Sequence, residues 1–133
     1  MNSKIADQSQ ERASEAYNAV SEAIKELNNL DAKKKYKSYV KKFPAIVKTN
    51  GLSAAVAFEF SKKASNSTES DIHKKIYKQI SKRLFKCGMC GDTQDDLMKI
   101  LLEMESDIHR SATIEIIAYF EWMRRFAEGL VEG

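Results

Sequence analysis

Proline occurs once and glycine five times in 133 residues, whereas an all-β domain needs a turn signal roughly every 8–12 residues. An all-α fold is the reading that remains. Cysteine occurs twice, at Cys87 and Cys90, which excludes a disulfide scaffold. The opening MNSKIADQSQERASEAY holds no apolar run suited to secretion, so both thiols are expected to be free. No segment approaches the ~18 uninterrupted apolar residues of a membrane span. A cytoplasmic protein with no membrane contact is expected, and the sequon Asn66-Ser67-Thr68 then carries no meaning. Hydrophobic residues at 43% and charged residues at 31% exclude a low-complexity chain. At this length roughly two thirds of the surface is buried on folding, and residues 1–133 are read as one helical domain.

Ala13, Ala16, Tyr17, Val20, Ala23, Ile24 and Leu27 recur at the three-four spacing of a helix with one buried stripe. From Lys33 the stripe resumes in Tyr36, Tyr39, Val40 and Phe43, and a kink or break is expected at Phe43-Pro44, because proline disfavours helical geometry in the residue before it. A short helix then ends at Asn50-Gly51, a pair suited to a left-handed cap. LSAAVAFEF, apolar nearly all round, is expected in the core with Leu52, Val56, Phe58 and Phe60. Ile72, Ile76, Ile80 and Leu84 mark a helix that Gly88 ends near Cys87. Asp92 and Thr93, followed by Asp95 and Asp96, form an acidic cap signature before Leu97. The last helix starts at Ser106 and carries Ile108, Ala112, Ile116, Tyr119, Met123 and Phe126 to about Ala127, with Trp122 and the other aromatics on or beside the apolar stripe. The result is a compact bundle of about six helices with no internal repeat.

Charge divides along the chain. Residues 1–32 carry a net −3, residues 33–86 a net +12 and residues 87–133 a net −6, which predicts one basic surface rather than a uniform one. At 100° per residue Lys34, Lys37 and Lys41 face away from Tyr36, Val40 and Phe43, with Lys35 and Lys42 on the other flank. Lys74, Lys75, Lys78, Lys82 and Lys86 lie opposite Ile72, Ile76 and Ile80. Phe85 falls on the lysine side and serves either as a stacking platform for a base or as a contact with another protein. Lysine-rich outer faces also keep helical proteins soluble, but solvated faces usually intersperse both signs, as Glu121/Arg125 and Arg124/Glu128 do in the last helix. The two middle helices lack such compensation in sequence. Lysine acts as a flexible point charge and suits phosphates better than base edges. The candidate RNA-binding residues are therefore Lys34, Lys37, Lys41, Lys42, Lys48, Lys75, Lys78 and Lys82.

Catalytic patterns are scarce. Cys87-Gly88-Met89-Cys90 has the spacing of a metal knuckle, but a structural zinc site needs four ligands and the chain offers only His73 and His109 and no second cysteine pair. No metal, cofactor or small-molecule substrate is expected. His73 lies beside Asp71, and His109 near Glu105 and Asp107, yet no serine or cysteine nucleophile is placed with either by sequence. Phosphate loops, paired-histidine metal motifs and nucleophile elbows are absent. The chain is read as a non-enzyme.

FPAIVKTNGLSAAVAFEFSK, residues 43–62, resembles the signature of the small subunit of type III-B CRISPR effector complexes, the Cmr module. The resembling positions include Pro44, Asn50, Gly51, Leu52 and Phe58. Gln10, Arg12, Ala13 and Ala16 match that family's first helix. Ser111-Ala112-Thr113, Glu115 and the run from Trp122 through Phe126 to Gly129 match its last. The resemblance runs in register over nearly the whole chain. It implies a non-catalytic ribonucleoprotein subunit in antiviral defence that stacks head to tail along the crRNA-bearing backbone, beside further copies of itself and other effector subunits, and faces the target RNA. It assigns no role to Cys87 and Cys90. In such a stack the acids Glu11, Glu15, Glu22 and Glu26, or Asp92, Asp95 and Asp96, would meet basic residues of a neighbouring copy. The alternative is a free-standing helical adaptor binding an acidic protein through the same lysines.

Overall fold

The computed structural model describes residues 2–91 and 96–132, and in them six helices and no strand. They are α1 (Asn2–Glu26), α2 (Leu30–Asn50), α3 (Leu52–Lys62), α4 (Thr68–Lys86), α5 (Leu97–Glu103) and α6 (Ser106–Leu130). Helix α6 packs along both α1 and α2, α3 lies on α4 and α2, and α5 packs against α3. Ala16, Val20, Tyr36, Val40, Phe43, Leu52, Ile76, Ile80, Leu84, Ile116, Phe120 and Met123 are fully buried in the shared core. All but Phe120 are positions that the sequence pattern selects, whereas Ile108, also read on the last helix's stripe, is 42% exposed.

Local chemistry sets the ends. Asn29 caps α2 by accepting from the Ala32 N–H at 2.8 Å, and Ser67 caps α4 by accepting from the Ser70 N–H at 3.1 Å. Gly51 closes α2 and opens α3 at φ 91° and ψ 158°, its N–H donating to the Val47 carbonyl at 2.8 Å. The positive φ expected there is present, although ψ lies far from the left-handed helical value and in a region that is essentially glycine's own. Cys87 caps the C-terminus of α4, and Gly88 follows at φ 74°.

Two expectations about helices are corrected. Of the kink or break expected at Phe43-Pro44, the break does not occur: α2 runs through Pro44 to Asn50. Phe43, Pro44 and Val47 are all buried on the face that carries Tyr36 and Val40, so packing holds the helix across the missing N–H donor. Helix α3 is not buried all round, since Phe58 and Phe60 stand 46% and 42% exposed. Its inner face is Leu52, Ala55, Val56 and Glu59, so the acid of this apolar run is inside while two phenyls are outside. Among the expected cap residues of α5, Asp92, Thr93 and Asp95 lie outside the described residues, and Asp96 makes no side-chain cap bond.

Candidate nucleic-acid interface

Helix α1 runs antiparallel to α4, with Glu26 beside Lys75 at one end and Glu11 beside Lys86 at the other. Between them lies a groove of about 910 Å³. Its floor includes Ala19, Ala23 and Tyr119, and its walls are the acids of α1 and the lysines of α4. Gln79 bridges the seam below by donating to the Ala19 carbonyl at 3.2 Å and to the Tyr36 hydroxyl at 2.9 Å. No α2 residue lines this groove.

The α2 lysines belong to a different seam. Lys41 pairs with Glu128 at 3.4 Å and Lys48 with Glu121 at 3.5 Å, both on α6, while Lys35 on the opposite flank bridges Asp31 and Glu69. The basic residues of the two lysine helices thus meet acids of different neighbours, α6 for Lys41 and Lys48 and α1 for Lys75 and Lys86. The expected lack of compensation is corrected: acids distant in sequence supply it.

On α4 the compensation is selective. Lys75, on the flank nearest α1, donates to Glu26 at 2.5 Å, and Lys86 sits 3.6 Å from Glu11. Arg83 is inside, 3% exposed, donating from Nε to Glu115 at 2.8 Å and from Nη1 to Glu11 at 3.1 Å and to Glu15. Burial opposes its charge, but the three carboxylates outweigh that and hold the guanidinium above its ordinary pKa. Hydrogen bonding to Arg83 likewise lowers Glu11, and Lys75 lowers Glu26. Glu11, Glu15 and Glu26 are therefore paired within the molecule. Glu22 remains exposed.

What is left on the outer stripe of α4 is Lys74, Lys78 and Lys82, all exposed and without an ion pair among the described residues. Of the eight lysines singled out in sequence, Lys78 and Lys82 fall here and Lys75 beside them. Lys34, Lys37, Lys41 and Lys48 share one stripe of α2, with Lys42 on its far flank. Lys74 belongs to the α4 stripe by position, although the eight sequence candidates do not include it.

The histidines are placed differently from expectation. His73 does not face Asp71 but is buried, its Nδ1 2.6 Å from Glu59 Oε1, with the Tyr39 ring 4.7 Å away. Burial pushes the Glu59 carboxyl up, and the bond to His73 offsets only part of that. This pair ties α3 to α4. His109 has a serine beside it, contrary to expectation: Ser53 Oγ lies 2.8 Å from His109 Nε2. Neither pair is visible in sequence, because each joins two helices. Burial raises the Cys87 thiol pKa, Cys90 contacts the Ser81 carbonyl at 3.8 Å, and no cluster of three metal-binding side chains occurs among the described residues.

Of the positions that carry the resemblance, Pro44 and Leu52 are buried, Asn50 and Gly51 form the α2–α3 junction, and Phe58 is exposed. Trp122 stacks on Phe126 at 5.7 Å on the half-buried face toward α1. Residues 8–130 match the family model described as CRISPR-associated protein (Cas_Cmr5). The chain belongs to the Cmr5 family. A crystal structure of a CRISPR-associated Cmr5 family protein from Thermus thermophilus shares its fold with a TM-score of 0.73 and 29% sequence identity, covering 93% of this chain and 97% of that one. This Cmr5-family chain is thus a small all-α subunit of the type III-B Cmr complex in CRISPR defence. No helix among its described residues is long and apolar enough to cross a membrane.

Proposed function

We propose that the chain is a non-catalytic subunit that stacks with copies of itself along the crRNA-bearing backbone of the Cmr complex and faces the target RNA through α4. The observation that carries this reading is the stripe Lys74, Lys78, Lys82, which holds no ion pair among the described residues, while Lys75, Arg83 and Lys86 pair with acids of α1. Successive lysines four residues apart rise about 6 Å along a helix, so the stripe presents a row of point charges suited to consecutive phosphates and carries no base-edge readout. Lys34 and Lys42 on α2, also unpaired among the described residues, supply a weaker second contact. The Ser53–His109 pair does not argue for catalysis, since no described carboxylate orients the imidazole and the site is a shallow depression.

Single-stranded RNA should bind the isolated chain weakly and without sequence preference. Three neutralised phosphates give a slope of log K against log salt of about −2, at about −0.7 per phosphate. A tagged chain should co-purify guide RNA together with other Cmr subunits. Capture of an acidic protein without RNA, and no salt-dependent RNA binding, would instead support the adaptor.

A further inference from the structure

Four aromatic side chains stand more than two fifths exposed: Tyr17, Phe58, Phe60 and Phe85. Three of them are already in contact with a ring or a cation. Tyr17 meets Phe126 edge-on at 5.3 Å, Phe58 meets His73 at 5.7 Å with Lys62 above it, and Phe60 meets Tyr77 at 5.8 Å with Lys63 above it. Phe85, 47% exposed, has no such partner among the described residues. At 100° per residue it lies within about 60° of Lys74, Lys78 and Lys82 on the helix surface, one turn beyond Lys82. An exposed phenyl thus ends a row of exposed ammonium groups that hold no ion pair among the described residues.

We infer that Phe85 is a stacking platform for one nucleobase of a single-stranded RNA whose phosphates follow Lys74, Lys78 and Lys82 along α4. This rests on the RNA-facing reading and adds to it a position, a direction along one helix and a residue that binds bases rather than phosphates. Bases offer a π-face whatever their sequence, and a lone aromatic among cations is the arrangement that binds single strands without sequence readout. A protein contact would call for a contiguous apolar core, whereas the side chains that share the face of α4 with Phe85 are the exposed lysines Lys74, Lys78 and Lys82.

The test uses the full chain, a fluorescein-labelled octauridylate and anisotropy over a salt series. Phe85→Leu keeps an exposed apolar group of similar bulk but removes the π-face, and it should weaken binding roughly five-fold or more, the lower end of what one base stack contributes. Its salt slope should stay that of the wild type. Lys78→Gln should instead make the slope less negative by about 0.7. Phe85→Trp should bind at least as well as wild type, with its added indole emission quenched by the RNA. Wild-type affinity in Phe85→Leu, with normal salt dependence, overturns the stacking role while leaving the phosphate stripe intact. Loss of salt-dependent binding in the wild type overturns the RNA reading itself. Unchanged RNA affinity in Phe85→Leu together with failure to join the other Cmr subunits assigns Phe85 to a protein contact and overturns the proposal.

Discussion

Arg83 of α4 donates from Nε to Oε2 of Glu115 on α6 at 2.8 Å, and the same oxygen accepts from Nε of Arg12 on α1 at 2.8 Å. One carboxylate in the first half of α6 therefore ties down two helices, through partners 32 and 103 residues away in the chain. It also holds Arg83 inside, away from the exposed lysines of α4. Burial by itself would raise the Glu115 pKa, but the bonds from Arg12 and Arg83 win and lower it.

Replacing Glu115 with Gln should cost on the order of 3 kcal/mol at neutral pH, since it leaves buried guanidinium charge short of a partner. A folded pKa below the ordinary value gives stability that is present above pH 4.5 and lost as pH falls through the lowered folded value. Urea unfolding at pH 7 and pH 3.5 should show a large gap between wild type and Glu115→Gln that narrows in acid. A gap that is constant with pH would place the effect elsewhere.

Gly51 tests the α2–α3 junction. A Cβ built there meets no atom within 4 Å, so any cost of substitution is conformational and arises from φ 91° with ψ 158°. Gly51→Val should lower stability by more than about 1 kcal/mol, read as a lower Tm by calorimetry. An unchanged Tm would show that the junction adopts a backbone open to any residue.

Pro44 sits inside α2, where a proline costs about 3 kcal/mol relative to alanine. Truncating its ring removes about two methylenes of buried contact, about 1.6 kcal/mol. Pro44→Ala should therefore stabilise the chain by about 1 kcal/mol in a denaturant titration. A loss of stability would show that the ring's packing outweighs the missing hydrogen bond.

Periodicity makes most of the fold legible. Every α1 and α4 position read as apolar and inward is buried or half-buried except Tyr17, because these long amphipathic helices each offer one solution to burial. The continuity of α2 is not legible, since a local rule about proline competes with the packing of Phe43 and Val47, which only the folded chain reveals. For the same reason Phe58 and Phe60 are misplaced by the sequence pattern: an apolar run says nothing of how many neighbours cover it. The candidate site is half visible. The lysine faces follow from spacing, but which lysines remain free depends on Glu11, Glu26, Glu121 and Glu128 arriving from other helices. The Glu59–His73 and Ser53–His109 pairs, 14 and 56 residues apart, carry no signal in the linear sequence.

The proposed contact between α4 and the target RNA is open to direct measurement. A Cmr complex reconstituted with guide RNA and containing this chain with Lys74→Glu, Lys78→Glu and Lys82→Glu should assemble with wild-type stoichiometry, because these side chains are exposed and make no ion pair or hydrogen bond among the described residues. Its affinity for labelled target RNA at moderate salt should fall at least ten-fold, on the order of 1.4 kcal/mol, and the salt slope should become shallower by about 2. Target affinity and salt slope equal to those of the wild-type complex would contradict the account.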